Sequence, residues 1–451
     1  MKTGSEIIVQ VLADQGVETI FGYSGGAILP TYDEVFKYNE KNQDKPMPLI
    51  VPSNEQGAGF MASGYARSSG KPGIVMVTSG PGATNTVTPV RDAMADSIPM
   101  IVICGQVSRQ SIGSDAFQEA PITSVMGSVA KHVFLVTEEK KLASTLNAAF
   151  EIAVSGRPGP VVVDIPKDIQ TAMIPDDDLE ETNISAYRER ILIIKNDRLC
   201  SEKIDSFFYH LENAKKPLIY SGGGVVSANA SNELRRFINH FKIPAVSTLM
   251  GLGGLDTQNE FSLHMLGMHG TPFANYAVQE SDFLIAIGSR FDDRVAGVPD
   301  KFAPKAKVIA HFDVDPSEIN KVKDSAWSHL GVLPLALNDL VDHANKNDLK
   351  FDFEDWKNHT QELKSNYPLN FNRESELIQP EQVIESINKI TKGNAIVTTG
   401  VGQHQMWAAQ YFDFTEPRLW LTSGSMGTMG FGIPAAIGAQ FAHPDKIVID
   451  I

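Results

Sequence analysis

The chain is predicted to fold as α/β, in three doubly wound domains each built on a parallel sheet, with the third domain incomplete. Three observations predict this. Short apolar runs alternate with amphipathic segments from the N-terminus onward, the pattern of strands buried on both faces beneath helices. That pattern stops twice at polar stretches and twice resumes. The length, 451 residues, exceeds what one hydrophobic core organises.

In the first domain, residues 1–170, LIVPS, GIVMVTSG, PMIVICG and PVVVDIP read as strands, and SEIIVQVLADQG and TPVRDAMADS as helices. Residues 171–195 contain PDDDLEETN, acidic and nearly free of large apolar side chains, and read as a linker. A second domain over 196–344 takes its strands from KPLIYSGGG, KIPAVSTL, DFLIAIGS and KVIAHFDVD. Residues 345–374 are polar with scattered aromatics and read as a surface connector. The third domain, 375–451, opens with the amphipathic helix ELIQPEQVIESINKI and the strand NAIVTTG. The final run, KIVIDI, has the apolar pattern that begins another βα unit, which predicts that this domain continues past Ile451.

Composition narrows the function classes. Hydrophobic residues make up 42% and charged residues 21%, the profile of a globular enzyme. The formal charge of −15 argues against a nucleic-acid surface. Two cysteines, Cys104 and Cys200, make neither a disulfide framework nor a zinc site. No apolar run reaches membrane-spanning length or resembles a signal peptide, which reads as a cytoplasmic protein without membrane partners.

Several short stretches carry chemistry. NEQGAGFMASGYAR sets one acid, Glu55, at the head of a helix weakened by three glycines. An acid there has a bland use, complementing the helix dipole. SGPGATN, Ser79 to Asn85, joins a strand to a helix and suits close approach of a ligand to the backbone. YSGGGVV also ends a strand but lacks the GxGxxG spacing of a dinucleotide fingerprint. FDVDP places Asp313 and Asp315 at a strand end, where they either meet ribose hydroxyls or cap a solvated turn. GSRFDDR brings two arginines and two aspartates to a strand tip, to neutralise one another or to bind a small carboxylate. TTGVGQHQMWAAQ and SGSMGTMGFGIPAAIGA are richer in glycine, glutamine, histidine and methionine than a packed core requires, which points to a ligand site.

Together these stretches resemble the catalytic subunit of acetolactate synthase. FGYSGGAILPTYD, NEQGAGFMASGYARSSGKPG, TSGPGATN, GQVSRQSIGSDAFQEA, SGRPGPVVVDIPKD, LGMHG, GSRFDDRVAG, GVGQHQMWAAQ and GTMGFGIPAAIGA look like that family's motifs in its order, across the whole chain. The resemblance implies the thiamine-diphosphate-binding fold, with a pyrimidine domain, a central FAD domain and a diphosphate domain. It implies decarboxylation of pyruvate and transfer of the two-carbon unit to a second 2-keto acid, pyruvate or 2-ketobutyrate, a step of isoleucine, valine and leucine biosynthesis. Glu55 matches the glutamate that hydrogen-bonds the cofactor's pyrimidine, with Gly26 and Gln118 beside the reacting centre. Arg294 matches the residue facing the acceptor's carboxylate, and Lys167 one at the channel mouth. For thiamine diphosphate, Val401, Gly402, Gln403, His404, Gly427 and Met429 match; for FAD, Arg157, Gly222, Gly223, Gly224, Thr248, Leu249, Met268, His269, Gly288, Arg290, Val295 and Asp313 match.

The resemblance further implies a homodimer or homotetramer and a regulatory small subunit. Three departures stand out. Ser24 replaces the family's proline, Val332 follows Gly331 where an aspartate is common, and the magnesium-binding GDG motif would fall just past Ile451. No metal ligand can therefore be named, although Mg2+ is implied. The alternatives are another thiamine-dependent 2-keto acid decarboxylase or carboligase, and an inactive flavin-binding fragment.

Overall fold

The computed structural model describes residues 1–175 and 179–451. Residues 176–178, within the acidic segment read as a linker, lie outside the described residues. The chain forms two compact units, one of residues 1–188 with 425–450, the other of residues 189–424 with Ile451.

The first unit is organised by six parallel strands: β1 (Ile20–Tyr23), β2 (Leu49–Ile50), β3 (Gly73–Val77), β4 (Met100–Gln106), β5 (His132–Leu135) and β6 (Pro160–Pro166). Their spatial order is β2-β1-β3-β4-β6-β5, so the winding reverses between β1 and β3. Period-two alternation sorts the side chains onto two cores. Ile74, Met76, Ile101, Ile103, Val161 and Val163 face one helical layer, and Val75, Val77, Val102, Cys104 and Val162 face the other. The second core holds the helix Glu55–Ser69. Asn54 caps its start by accepting from Gly57 N–H at 2.8 Å, and Gly70 ends it in the left-handed conformation at φ 77°.

Against that helix lies another, Gly432–Ala442, and here two glycines are required. A Cβ on Gly64 would stand 2.1 Å from Ala435 O, and one on Gly438 would stand 1.8 Å from Met61 O. The two backbones are in direct contact, with no flexible side chain to give way. Gly438→Val is expected to destabilise the first unit by about 1–3 kcal/mol, read as a lowered Tm.

The second unit holds β7 (Pro217–Ser221), β8 (Ala245–Ser247), β9 (Ser262–Met265), β10 (Phe283–Ile287), β11 (Val308–Asp313) and β12 (Trp327–Leu330). All pair in parallel, in the order β9-β8-β7-β10-β11-β12, with the reversal between β7 and β10. The unit also contains the short parallel pair Ile396–Thr398 and Trp420–Leu421.

Four of the twelve numbered strands, and the two-residue Trp420–Leu421, are absent from the sequence-based reading. Three of them, β5, β9 and β12, are sheet edges whose sequences HVFL, SLHM and WSHL mix polar with apolar residues. The fourth, β1, contributes only Ile20 and Phe21 before Gly22 and the exposed Tyr23. The stretch 345–374 contains the helix Glu354–Asn366, which buries Trp356 and Leu363 in the second unit's core. Trp356 Nε1 donates to Pro217 O at 2.8 Å, so two well-spaced apolar residues anchor an otherwise polar arm.

One buried acid interrupts the first unit's core. Asp164, on β6, is 1% exposed, accepts from Gln106 Nε2 at 3.0 Å and, among the described residues, has no partner for its Oδ1. Burial pushes its carboxyl up to about 7. The folded state therefore holds this proton more tightly than the unfolded chain. The stability so gained is complete below about pH 4 and is lost as pH rises toward 7, at about 1.4 kcal/mol per unit. Asp164→Asn is expected to flatten the pH dependence of Tm across that window and to raise Tm at pH 8.

Candidate functional site

In open α/β sheets ligands bind beyond the carboxyl ends of the strands, where the winding reverses. In the first unit that crevice lies between β1 and β3, and three predicted residues, Glu55, Gly26 and Gln118, lie on the segments beside it. β1 leads into the loop Ser24–Ala27, and β3 leads through Thr78 into the SGPGATN turn. Thr78 Oγ1 joins them by accepting from Ala27 N–H at 3.3 Å.

Glu55, half-buried at the head of its helix, faces the same turn. Its Oε2 accepts from Asn85 Nδ2 at 2.8 Å. Its Oε1 lies toward Gly82, where a Cβ would sit 3.4 Å from it and 2.7 Å from Thr78 Cγ2. The glycine thus leaves room beside a carboxylate oxygen, a cradle that a larger residue would fill. Tyr32, its hydroxyl donating to Met76 O at 2.8 Å, resists ionisation, chiefly through burial and secondarily through the Glu55 charge. Sequence reasoning assigned no role to Asn85, Thr78 or Tyr32. Asn85 and Thr78 belong to the flagged turn and the strand before it; Tyr32 carries no local signal.

Gly26 is exposed at this crevice, with open space where a Cβ would stand. Gln118 is exposed as well, on a loop that lies against the turn: a Cβ on Gly80 would meet Gln118 O at 2.6 Å. Gln118 itself sits at φ 58°, a strained conformation for a side-chain-bearing residue. Glu119 holds this loop closed by accepting from Ala116 N–H at 3.0 Å and from Gly113 N–H, and those bonds keep its carboxyl below the usual range. Lys167 is exposed just past β6, next to Asp168, which accepts from Arg109 Nε at 2.6 Å.

The second unit has its own crevice, between β7 and β10. Gly222 N–H donates to Ile287 O and Gly224 N–H to Gly288 O, both at 3.0 Å. Gly288 adopts φ 59°, and a Cβ on it would stand 2.8 Å from Gly224 Cα. Thr248 follows β8, its N–H donating to Ser221 O at 2.9 Å and its hydroxyl accepting from Gly251 N–H at 3.1 Å, with Leu249 next to it. Asp313 ends β11, where its Oδ1 accepts from Val314 and Asp315 N–H. Arg290 and Val295 lie in the segment after β10. Met268 N–H donates to Arg294 O at 2.8 Å, which ties the LGMHG loop to that segment. His269 O accepts from Gln410 Nε2 at 2.7 Å. Arg294 projects from the surface, 69% exposed, with Nε 3.9 Å from Asp293 Oδ2. Where an aspartate is common, Val332 stands as the residue before the helix Leu333–Lys346, without a side-chain cap.

The expected FAD residues fall in both units. Arg157 belongs to the first, where its Nε donates to Ser97 Oγ at 2.9 Å, and the others belong to the second. The thiamine diphosphate residues divide likewise. Val401, Gly402, Gln403 and His404 open the helix Gln403–Tyr411 of the second unit, with Gln405 Nε2 fixed on Thr422 Oγ1 at 2.6 Å. Gly427 and Met429 are exposed in the first unit. No cluster of three or more metal-ligating side chains occurs among the described residues. No helix among them is long and apolar enough to cross a membrane.

Three family models match the chain. The N-terminal TPP binding domain of thiamine pyrophosphate enzymes matches residues 2–126, the central domain 204–340, and the C-terminal TPP binding domain 400–451. Among similar proteins, acetolactate synthase of Arabidopsis thaliana, named chloroplastic, is 46% identical over the whole chain, which spans 66% of that protein's length. Acetolactate synthase 1 of Zea mays, also named chloroplastic, is 43% identical, with 69% of its length covered. The acetolactate synthase catalytic subunit of Saccharomyces cerevisiae, named mitochondrial, is 44% identical, with 66% of its length covered. These names overturn the expectation of a cytoplasmic protein. That expectation rested on the lack of an apolar leader, whereas organelle-targeting segments are amphipathic and basic and carry no such run.

Proposed function

From the premise that the chain belongs to the acetolactate synthase family of thiamine pyrophosphate enzymes, we propose that it serves acetolactate synthesis. Pyruvate is decarboxylated, and its two-carbon unit passes to a second 2-keto acid, pyruvate or 2-ketobutyrate. The observation that carries this reading is the pairing of Glu55 with Asn85 where the turn approaches closely enough to require glycine at position 82.

Thiamine diphosphate, when bound, supplies the electron sink that carbanion chemistry at a former carbonyl carbon needs. Glu55 would hydrogen-bond the pyrimidine through Oε1, while Asn85 orients the carboxyl through Oε2. Gly26 admits the reacting groups closely, and Gln118 presents an amide to them. Val401, Gly402, Gln403 and His404 of the second unit, and Gly427 and Met429 of the first, are the residues that would hold the rest of the cofactor; Mg2+ would neutralise its diphosphate, with no ligand set for it among the described residues. FAD would take the β7/β10 crevice, where Gly224 and Gly288 approach closely, and Asp313, Thr248, Leu249, Met268, His269, Arg290 and Val295 would hold it; Arg157, of the first unit, is a further FAD candidate by resemblance alone. Arg294 binds the acceptor's carboxylate through its two-pronged guanidinium, and Lys167 lines the approach. The protein assembles as a homodimer or homotetramer with a regulatory small subunit. The outward apolar side chains Met429 and Ile433, 79% and 67% exposed, support such association.

In the full-length protein, Glu55→Gln is expected to keep Tm while acetolactate formation falls at least about 100-fold, because the amide has no acid proton to hold. Release of acetaldehyde in place of acetolactate by the unsubstituted protein would assign it to the decarboxylases. Arg294→Ala is expected to slow acceptor use by about 10- to 100-fold, the loss of one charge-assisted contact of about 1.5–3 kcal/mol, with decarboxylation little changed. Single-turnover measurement of carbon dioxide and acetolactate separates the two steps.

A further inference from the structure

The first unit buries three charges beside the glycine-rich segment SMGTMGF. Arg67, near the end of the Glu55 helix, donates through one nitrogen, Nη2, to Asp92 Oδ1 at 2.9 Å and to Asp96 Oδ2 at 2.8 Å. Its side chain is 3% exposed and those of both aspartates 0%. Each aspartate then uses its other oxygen on the segment. Asp96 Oδ1 accepts from Ser425 N–H at 2.9 Å, and Asp92 Oδ2 accepts from Thr428 Oγ1 at 2.9 Å. The guanidinium also lies 5.0 Å from the centre of the Phe431 ring, so both ends of the segment are engaged.

Burying ions is costly, and an apolar cluster would join the helices at least as well. What the charges add is direction. One guanidinium faces two carboxylates, and the excess negative charge draws donors from the segment at two points three residues apart. An apolar contact would tolerate sliding; this one does not.

We propose that Arg67, Asp92 and Asp96 are positioning residues that clamp the Ser425–Thr428 backbone and so fix Gly427 and Met429 for thiamine diphosphate, an inference that rests on the function proposed above. Their effect passes through the Ser425 amide and the Thr428 hydroxyl.

Thr428 gives the test, because Thr428→Val keeps the shape and removes the donor, while Thr428→Ser retains it. In the full-length protein, hydrogen exchange over residues 424–430 is expected to quicken about tenfold in Thr428→Val, with 100–106 unchanged. The thiamine diphosphate concentration for half-maximal activity is expected to rise about tenfold, with a smaller fall in kcat at saturation. Thr428→Ser is expected to restore both. Unchanged exchange in Thr428→Val, an unmoved cofactor requirement, or Thr428→Ser matching Thr428→Val would each overturn the clamp. If the unsubstituted protein bound no thiamine diphosphate, the proposed function would fail instead, and the exchange comparison would still decide whether the segment is clamped.

Discussion

Direct backbone contact between the helices Glu55–Ser69 and Gly432–Ala442 is the constraint on which the first unit's arrangement depends. It exists because Gly64 and Gly438 have no side chain. Glycine weakens an isolated helix, so neither position is explained by helix formation. The gain is tertiary. Residues 425–450, far from the N-terminal sheet in sequence, become part of its compact unit. The Phe60 and Phe431 rings meet edge to face at 5.5 Å beside the contact, and the Arg67 network sits at its margin.

Two reversals of strand order then decide where chemistry can occur. At β1/β3 and at β7/β10 the loops diverge to opposite faces of the sheet and leave a crevice. The two crevices are lined differently. The first offers a half-buried carboxylate paired with an amide, a threonine hydroxyl, and an exposed glycine, Gly26, on the facing loop. The second offers glycine backbone, packed edge to edge, with an acid at a strand end. A chain of net charge −15 carries both.

The charged groups inside the first unit fall into two kinds. Asp164 is buried with a single side-chain partner, and its elevated proton affinity is the consequence of desolvation. The side chains of Asp92 and Asp96 are buried too, but each is bonded through both oxygens, to the same guanidinium and to the same segment. Burial alone raises proton affinity; burial with directed donors fixes geometry. The same residue type thus serves opposite ends on neighbouring elements.

The sequence by itself determined the α/β class, the interior strands and the motif-bearing turns, because buried parallel strands are continuous apolar runs and turns need glycine at stated places. GIVMVTSG, PMIVICG and PVVVDIP are legible for that reason, and SGPGATN is legible as a turn. Edge strands such as HVFL and WSHL were not, since a half-covered strand need not be apolar. The arm helix Glu354–Asn366 was not, since one of its three buried residues, Thr360, is polar, and Trp356 and Leu363 alone make no apolar period. Only the tertiary structure decided that Asn85 grips Glu55, that Asp92 and Asp96 share Arg67, and that the Ser425–Phe431 segment closes on them. Those partners lie 25 to 336 residues apart, and no local pattern encodes a contact whose two halves are brought together only when the sheet is wound.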